Sequence, residues 1–272
     1  MTLQAPMRAH PRWRTRSIGW LAGLALALLS ACGPAGRDLE AGEKARVVKV
    51  LDGDTVELDS GLRVHLVSLE APRDKAWGPK ARQALERLTL QRAVELRYGG
   101  LKRAPGTKRY PTEAALAHLY AKTEGGRWVW VQEAMLRQGL ARVHTHKDNL
   151  ARVPQLLRLE GQARARKEGL WRDPAFAVKA ADTTPEGRGF VLVEGVIRSV
   201  ARSNDRVYLN FGAQARSGFS VVVEPEDAPA FASPAPEQLQ NRRVRVRGYL
   251  KGRDSLLMRA DHPAQLEVLS GT

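Results

Sequence analysis

Strict alternation of apolar and polar residues on both sides of the turn 59–61 constrains the fold of this chain more than any other feature. Period-two alternation around an Asp-Ser-Gly turn is typical of an antiparallel β-hairpin with one buried face. Asp54 precedes one arm of this predicted hairpin, and Glu70 follows the other. Antiparallel pairing would therefore bring these two carboxyl groups to the same end of the sheet. The apolar residues of the two arms are Val56, Leu58, Leu62, Val64 and Leu66.

The rest of the first half of the chain mixes strand and helix patterns. The predicted helices are Pro79–Leu90, Val131–Gln138 and Val153–Glu168, and the further strands are Val94–Arg97, Leu116–Tyr120 and Trp128–Val131. Proline in the first helical turn and glycine after the last are typical helix boundaries. In this order of elements the strands come first, one helix is inserted among them and two helices follow. Such an order indicates an α+β domain built on a small closed barrel.

The second half has the pattern of an all-β domain. Its predicted strands are Phe190–Val200, Val207–Phe211, Phe219–Val223, Val244–Leu250, Leu256–Arg259 and Gln265–Leu269. Short strands with one longer insertion favour a second, smaller OB-like β-barrel. Arg243, Arg245 and Arg247 alternate with valines and therefore share one face of a strand. They form either a stripe that follows nucleic-acid phosphates or the solvent-facing side of the strand.

The first 31 residues have the features of a signal peptide. Four arginines and no acidic residue precede an apolar run from Ile18 to Leu29, which is shorter than the about 20 residues of a membrane-spanning helix. Leu29-Ser30-Ala31-Cys32 resembles the lipobox of bacterial lipoproteins and contains the one cysteine of the chain. The resemblance implies lipidation of Cys32, a tether over residues 32–42 and an envelope location, periplasmic or surface-exposed, with the outer membrane favoured. The alternative is a buried thiol inside an ordinary signal peptide.

Positive charge is concentrated in the first of the two predicted domains. Residues 32–180 contain 28 Lys and Arg against 18 Asp and Glu, whereas residues 181–272 contain 12 against 11. Such a surplus attracts nucleic acid or other polyanions in a salt-dependent way. An arginine-rich but merely solubilised surface is the alternative.

Five short strings carry a resemblance to the staphylococcal nuclease-like (thermonuclease) family. They occur in the family's order and are Asp52-Gly53-Asp54-Thr55, Glu70-Ala71-Pro72, Leu116-Ala117-His118-Leu119-Tyr120, Gln138-Gly139-Leu140-Ala141 and Ala163-Arg164 with Gly169-Leu170-Trp171. The resemblance covers nearly all of residues 45–173 and implies an OB-fold barrel with three helices. Through the strings Tyr208-Leu209-Asn210-Phe211-Gly212 and Val244-Arg245-Val246-Arg247-Gly248, the second half is similar to a small β domain appended to some bacterial members. We predict a nuclease-like domain over 43–178, a linker over 179–187 and an OB-like domain over 188–270.

The resemblance also implies a calcium-dependent phosphodiesterase site. Carboxylates are ligands that calcium prefers, and the family's two metal carboxylates fall on Asp54 and Glu70, with Thr55 matched beside them. Arginines that bind the phosphoryl oxygens and a glutamate that activates water complete such a site. No small-molecule cofactor is expected.

Three of the family's catalytic groups are replaced in this chain. The first arginine falls on His65, the glutamate base on Arg73 and the second arginine on Ala114. Loss of a base costs about 10²–10⁴ in rate, and loss of a transition-state donor about 10²–10³. If Arg73 faces the site, its charge would weaken or abolish calcium binding.

Neighbouring residues could replace the lost groups. Arg63 and Arg109 are candidate substitute arginines, and His65, on the polar side of its strand, is a candidate base. His144 and His146 have the spacing of a metal pair, although no third ligand lies nearby in sequence.

The sequence leaves the enzyme question open and favours impaired catalysis. The favoured function is binding of nucleic acid or another polyanion by a membrane-anchored, nuclease-like protein. One alternative is an active calcium-dependent endonuclease with relocated catalytic groups. The other is a structural interaction module of the cell envelope.

Overall fold

The computed structural model describes Met1 and residues 39–102, 114–182, 189–212, 218–231, 233, 235–251 and 255–269. The chain divides into two units, Met1–Gly33 and Pro34–Thr272, and both large sheets belong to the second unit. The predicted signal peptide, Cys32 and Arg109 lie outside the described residues. Within the described ranges, no helix has the length and apolar character needed to cross a membrane.

Five strands of the first sheet close into a barrel, as the sequence predicted. The sheet order is β3-β2-β1-β5-β6-β7, and a parallel pairing of β3 with β6 closes the ring. A separate small sheet pairs Glu70 on β4 with Arg142 on β8. The strands of this half are β1 (Glu40–Val50), β2 (Thr55–Leu58), β3 (Arg63–Leu66), β4 (Leu69–Glu70), β5 (Ala93–Tyr98), β6 (Ala115–Lys122), β7 (Trp128–Trp130) and β8 (Arg142–Val143).

The first strand begins earlier than the sequence indicated. Residues 40–42, assigned to a tether, belong to β1, where Glu40 pairs with Tyr98 on β5. A Cβ on Gly42 would lie 2.4 Å from the Tyr98 ring, so the glycine permits a close approach between strands rather than flexibility. The tether prediction is therefore wrong for these residues.

Three helices cover the barrel: α1 (Gly78–Thr89), α2 (Val131–Arg137) and α3 (Val153–Ala165). Leu85 on α1, Met135 on α2 and Leu156 on α3 are fully buried in the barrel core. The third helix ends before the predicted Glu168 because Lys167 and Gly169 adopt left-handed backbone angles, with φ of 53° and 54°. A short 3₁₀ helix, Gly169–Arg172, follows.

The second half folds as the predicted strand-rich domain with its own apolar core. The described strands are β9 (Lys179–Ala180), β10 (Gly189–Val196), β11 (Ser199–Ser203), β12 (Arg206–Asn210), β13 (Gly218–Val223), β14 (Arg243–Lys251), β15 (Ser255–Arg259) and β16 (Leu266–Val268). Their order is β11-β12-β13-β15-β14-β10-β9, with β16 on β14.

Two details of the second half differ from the sequence predictions. The single strand predicted over 190–200 is two strands. The pairing of β10 with β14 ends at Val196, and the backbone N–H of Arg198 donates instead to Asn210 O, at 2.7 Å. Part of the predicted linker is also structured, since Lys179 pairs in parallel with Val193.

A buried ion cluster joins the two halves. Arg247 on β14 is 1% exposed and donates from Nη1 to Val143 O, at 2.9 Å. From Nη2 it donates to Glu160 Oε2 on α3, at 3.0 Å, and it also contacts Glu267. Burial alone would raise the pKa of Glu160, but the attraction and hydrogen bonds of Arg247, with the Val143 N–H, hold it below its usual value.

The prediction of a three-arginine surface stripe is wrong for Arg247, because this side chain points into the junction. Arg243 and Arg245 both bind Glu194 on the neighbouring strand, at 2.9 and 2.7 Å, so their charges are offset within the sheet. A role for these two residues in binding nucleic acid stays a prediction.

Candidate active site

Asp54 is fully buried at the start of β2, against the segment that follows β4. Its Oδ2 accepts a hydrogen bond from the Ala71 N–H, at 2.8 Å, and its Oδ1 accepts one from Thr55 Oγ1, at 3.1 Å. The close approach depends on Gly53, where a Cβ would lie 2.7 Å from the Cβ atoms of Ala71 and Ala81. The fold thus places Asp54 next to the Glu70-Ala71 backbone, as the predicted hairpin required.

His65 lies beside Asp54 and is also fully buried. Its Nδ1 is 3.4 Å from Asp54 Oδ1 and 3.4 Å from Thr55 Oγ1. The expectation of a polar, outward-facing position is wrong, because the imidazole is enclosed beside Asp54 and Thr55 and is 0% exposed. In this arrangement the imidazole has no access to a solvent-exposed substrate.

The predicted substitute arginine is further from Asp54. Arg63 pairs with Glu57, two residues along the hairpin from the His65–Thr55 pair, and its Nε is 3.6 Å from Glu57 Oε2. Its proposed catalytic role stays a prediction. Ala114, where the second arginine of the resemblance falls, is buried.

Arg73 points into the site and binds two carboxylates. Its Nη1 donates to Asp52 Oδ2, at 2.9 Å, and its Nη2 lies 3.4 Å from Asp54 Oδ1. Asp52 in turn accepts the Asp54 N–H through Oδ1, at 3.0 Å, so the three residues form one connected group.

The ionisation of this group follows from its contacts. Burial alone would raise the pKa of Asp54, but His65, Arg73 and the Ala71 N–H hold it well below the usual range. The pKa of Asp52 is raised, by burial first and by the neighbouring Asp54 charge second. Burial acts to lower the pKa of Arg73, but attraction to Asp54 and Asp52 outweighs it and the pKa is raised. Arg73 is therefore a permanent cation at this position.

Glu70 is held by the second half of the chain. The hydroxyl of Tyr249 on β14 donates to Glu70 Oε2, at 2.8 Å, and His144 Nδ1 lies 3.4 Å from the same oxygen. Sequence reasoning missed Tyr249, because it is 179 residues from Glu70 and lies in the other predicted domain.

Comparison with known proteins identifies the family of this chain. Residues 63–173 match the family model described as Staphylococcal nuclease homologue. Protein ParB of Escherichia coli is 34% identical over 163 residues, which cover 56% of this chain and 84% of ParB. The chain belongs to the staphylococcal nuclease family.

Two other relatives match shorter stretches of the chain. Micrococcal nuclease of Shigella flexneri is 27% identical over 137 residues, covering 48% of this chain and 75% of the relative. An uncharacterised endonuclease of Escherichia coli O157:H7 is 33% identical over 132 residues, covering 47% and 76%.

The carboxylates in this staphylococcal nuclease homologue do not fit a calcium ion in their present arrangement. Calcium takes about six to eight oxygen ligands. Here the Arg73 guanidinium already binds Asp52 and Asp54, and the Glu70 carboxylate accepts the Tyr249 hydroxyl. Over the described ranges, no group of three or more His, Cys, Asp or Glu residues is arranged to hold a metal.

The predicted histidine pair does come together. The His144 and His146 rings have centroids 4.3 Å apart. Burial, followed by the neighbouring His144 and His65, lowers the pKa of His146 to about 3, so His146 is neutral at physiological pH. A metal role for this pair stays a prediction.

Proposed function

We propose that this staphylococcal nuclease homologue binds nucleic acid and that its capacity for phosphodiester hydrolysis is strongly impaired. The observation that carries the proposal is the position of Arg73, with its guanidinium on Asp52 and Asp54. An arginine has five donors and no acceptor, and it stays protonated in proteins. It therefore cannot take a proton from water, which is the task of the glutamate that the family resemblance assigns to this position.

Arg73 also acts against metal binding. A divalent cation would have to approach the same carboxylate oxygens that the guanidinium contacts, against like-charge repulsion. Arg73 would have to leave before a calcium ion could bind Asp54. The site thus lacks the glutamate base that the family resemblance implies and opposes the cation that would polarise the phosphate.

Two observations support nucleic-acid binding: the positive charge of the first domain and the nuclease family to which the chain belongs. Residues 32–180 contain ten more Lys and Arg than Asp and Glu. Arginine and lysine neutralise phosphates and release condensed counterions, so such a domain binds nucleic acid with an affinity that falls as salt rises. Relatives whose names denote a nuclease and an endonuclease act on nucleic acid. Another polyanion would bind through the same charges.

An active metal-dependent nuclease is the second candidate. The specific observation in its favour is the contact of His65 Nδ1 with Asp54 Oδ1, at 3.4 Å, because an imidazole beside an ionised carboxylate is a general-base arrangement. Opening of the Arg73 contacts would be needed before this pair could meet a substrate.

We further propose that the protein acts in the cell envelope, anchored by a lipid on Cys32. The basic start, the apolar run of 12 residues and the lipobox-like string support this proposal. A diacyl or triacyl anchor gives stable membrane attachment, since each buried methylene contributes about 0.8 kcal/mol. Labelling cells with a radioactive fatty acid tests it, with Cys32→Ala as the unlabelled control.

The binding proposal is tested by fluorescence anisotropy of an internally labelled oligonucleotide against the full chain, in chelator, over a series of salt concentrations. We expect an affinity that decreases linearly on logarithmic axes as salt increases. Absence of binding at about 50 mM salt, a concentration at which counterion release still favours association, would contradict the proposal and favour a structural envelope module.

A further inference from the structure

A cavity of about 390 Å³ lies where the two halves of the chain meet. It is bordered by the end of β4, by β8, by a short 3₁₀ helix (Pro174–Phe176) and by β9, β10 and β14. The side chains relevant to its chemistry are Glu70, Asp74, Arg142, Phe176, Lys179 and Tyr249. Because β9, β10 and β14 belong to the second sheet, the nuclease-like barrel alone could not form this cavity.

Arg142 is the unusual residue of the cavity wall. It is 8% exposed and lies 5.1 Å from the ring centroids of both Phe176 and Phe190. Within the described residues its hydrogen bond is from Nη1 to Phe190 O, at 2.6 Å, and its Nε has no partner. Arg247, which is more deeply buried at 1% exposed, binds the carboxylates of both Glu160 and Glu267. Arg142 thus carries a buried charge without a comparable counterion.

An uncompensated buried guanidinium is energetically unfavourable. Burying a charge is costly unless it is paired and hydrogen-bonded. Burial lowers the pKa of Arg142, although Glu70, Glu160 and Asp74 attract its charge from a distance. An anion that entered the cavity would supply the missing acceptor through charge-assisted bonds.

The two acids of the cavity are already engaged. Glu70 accepts the Tyr249 hydroxyl, at 2.8 Å, and Asp74 accepts the N–H groups of Ala76 and Trp77, at 2.9 and 2.8 Å. Among the residues that the structure describes, Lys179 makes one weak hydrogen bond, from Nζ to Pro174 O at 3.4 Å. Arg73 also lines the cavity, but its guanidinium is bound to Asp52 and Asp54. The cationic groups of the described lining that bind no carboxylate closely are therefore Arg142 and Lys179.

We propose that this cavity binds the terminal phosphate monoester of a nucleic-acid strand, with Arg142 and Lys179 contacting the phosphate oxygens. The inference rests on the proposed function, since it assumes a nucleic-acid ligand. A phosphate monoester carries a charge of about −1.5 to −2 at pH 7 and three acceptor oxygens, so it suits a cavity lined by two such cations better than a phosphodiester does. The exposed parts of Phe176 and Tyr249 offer faces for the adjoining base.

The test compares short single-stranded oligonucleotides that differ at their ends. The full chain, in chelator, is titrated against an internally labelled strand with a 5′-phosphate, with a 3′-phosphate or with hydroxyls at both ends. We expect one phosphorylated form to bind about tenfold more tightly than the hydroxyl form, the size of one charge-assisted contact. The arm that shows the gain identifies the strand end.

Matched variants locate the effect. Lys179→Gln should reduce the preference for the phosphorylated end several-fold. The control is Lys122→Gln, at the exposed end of β6, which lowers the net charge of the chain by the same amount and should leave the preference unchanged. Arg142→Gln should abolish the preference. Since a change at Arg142 can unfold the chain, Lys179→Gln keeps the test decisive.

The outcomes separate this inference from the proposed function. Equal affinity for phosphorylated and hydroxyl ends overturns the cavity proposal and leaves nucleic-acid binding intact. Absence of binding to every strand overturns both. A preference that Lys122→Gln removes and Lys179→Gln does not would place the phosphate elsewhere and overturn the cavity proposal alone.

Discussion

The hydroxyl of Tyr249 donates a 2.8 Å hydrogen bond to Glu70 Oε2. Glu70 is the residue that family resemblance assigns to metal binding, and Tyr249 comes from the strand-rich second half. The second half of the chain therefore holds the carboxylate that a family nuclease would need for its metal. At this contact, the position of the Glu70 carboxylate depends on the packing of the second half against the nuclease-like barrel.

Removal of this hydroxyl should weaken the fold measurably. Tyr249→Phe deletes the donor and leaves a 5% exposed carboxyl with one partner fewer. Hydrogen bonds to charged groups contribute about 1.5–3 kcal/mol, so the free energy of unfolding should decrease by that amount. Urea denaturation measures it. A value equal to that of the unaltered chain would show that the contact does not hold the two halves together.

The buried ion cluster gives a second prediction. Arg247→Met leaves Glu160 buried without its main counterion, and breaking such a pair costs about 3–5 kcal/mol. The double change Arg247→Met with Glu160→Leu removes both charges and should recover most of that loss. Denaturant unfolding of the two variants compares them, and equal losses would mean that packing, not charge, governs this junction.

Acid should unfold the protein partly through Glu160. Its pKa is lowered in the folded state from an ordinary value of 4.5, so its stabilising contribution is present above that value and is lost as pH falls through the folded pKa. Asp54, whose pKa is also lowered, likewise stabilises the fold less as pH falls. Asp52, whose pKa is raised, has the opposite effect on stability.

The measurement for this prediction is the free energy of unfolding between about pH 6 and pH 3, for the unaltered chain and for Glu160→Gln. The unaltered chain should lose stability as pH falls below about 4.5, and the variant should show a shallower slope. Parallel curves would show that Glu160 does not titrate differently in the two states.

Local sequence patterns predicted the parts of the fold that depend on near neighbours. The hairpin around residues 59–61 and the helix near Pro79 were identified because alternation, glycine and proline act over a few residues. The beginning of β1 was missed because Glu40–Lys44 is rich in charge and contains a glycine, which resembles a tether. Its strand conformation comes from pairing with β5, which no local pattern indicates.

The same limit applies to the site. Asp54 and Arg73 could be assigned from short strings, but the partners of Glu70 and Arg247 lie 179 and 87 residues away in sequence. An arginine that alternates with valines has the pattern of an exposed strand face, and only the contact with Glu160 on α3 shows Arg247 to be a buried ion. Long-range packing, not residue type, decided those roles.

The position of Arg73 on Asp54 predicts the outcome of a cleavage assay. Plasmid and single-stranded DNA are incubated with the full chain in calcium and in chelator, alongside Arg73→Glu, Arg73→Gln and Arg73→Glu with His65→Arg. The unaltered chain and Arg73→Gln should give no calcium-dependent cleavage, because neither supplies a base. Arg73→Glu with His65→Arg should cleave weakly in calcium. Chelator-sensitive cleavage by the unaltered chain, lost on Asp54→Ala, would contradict the account.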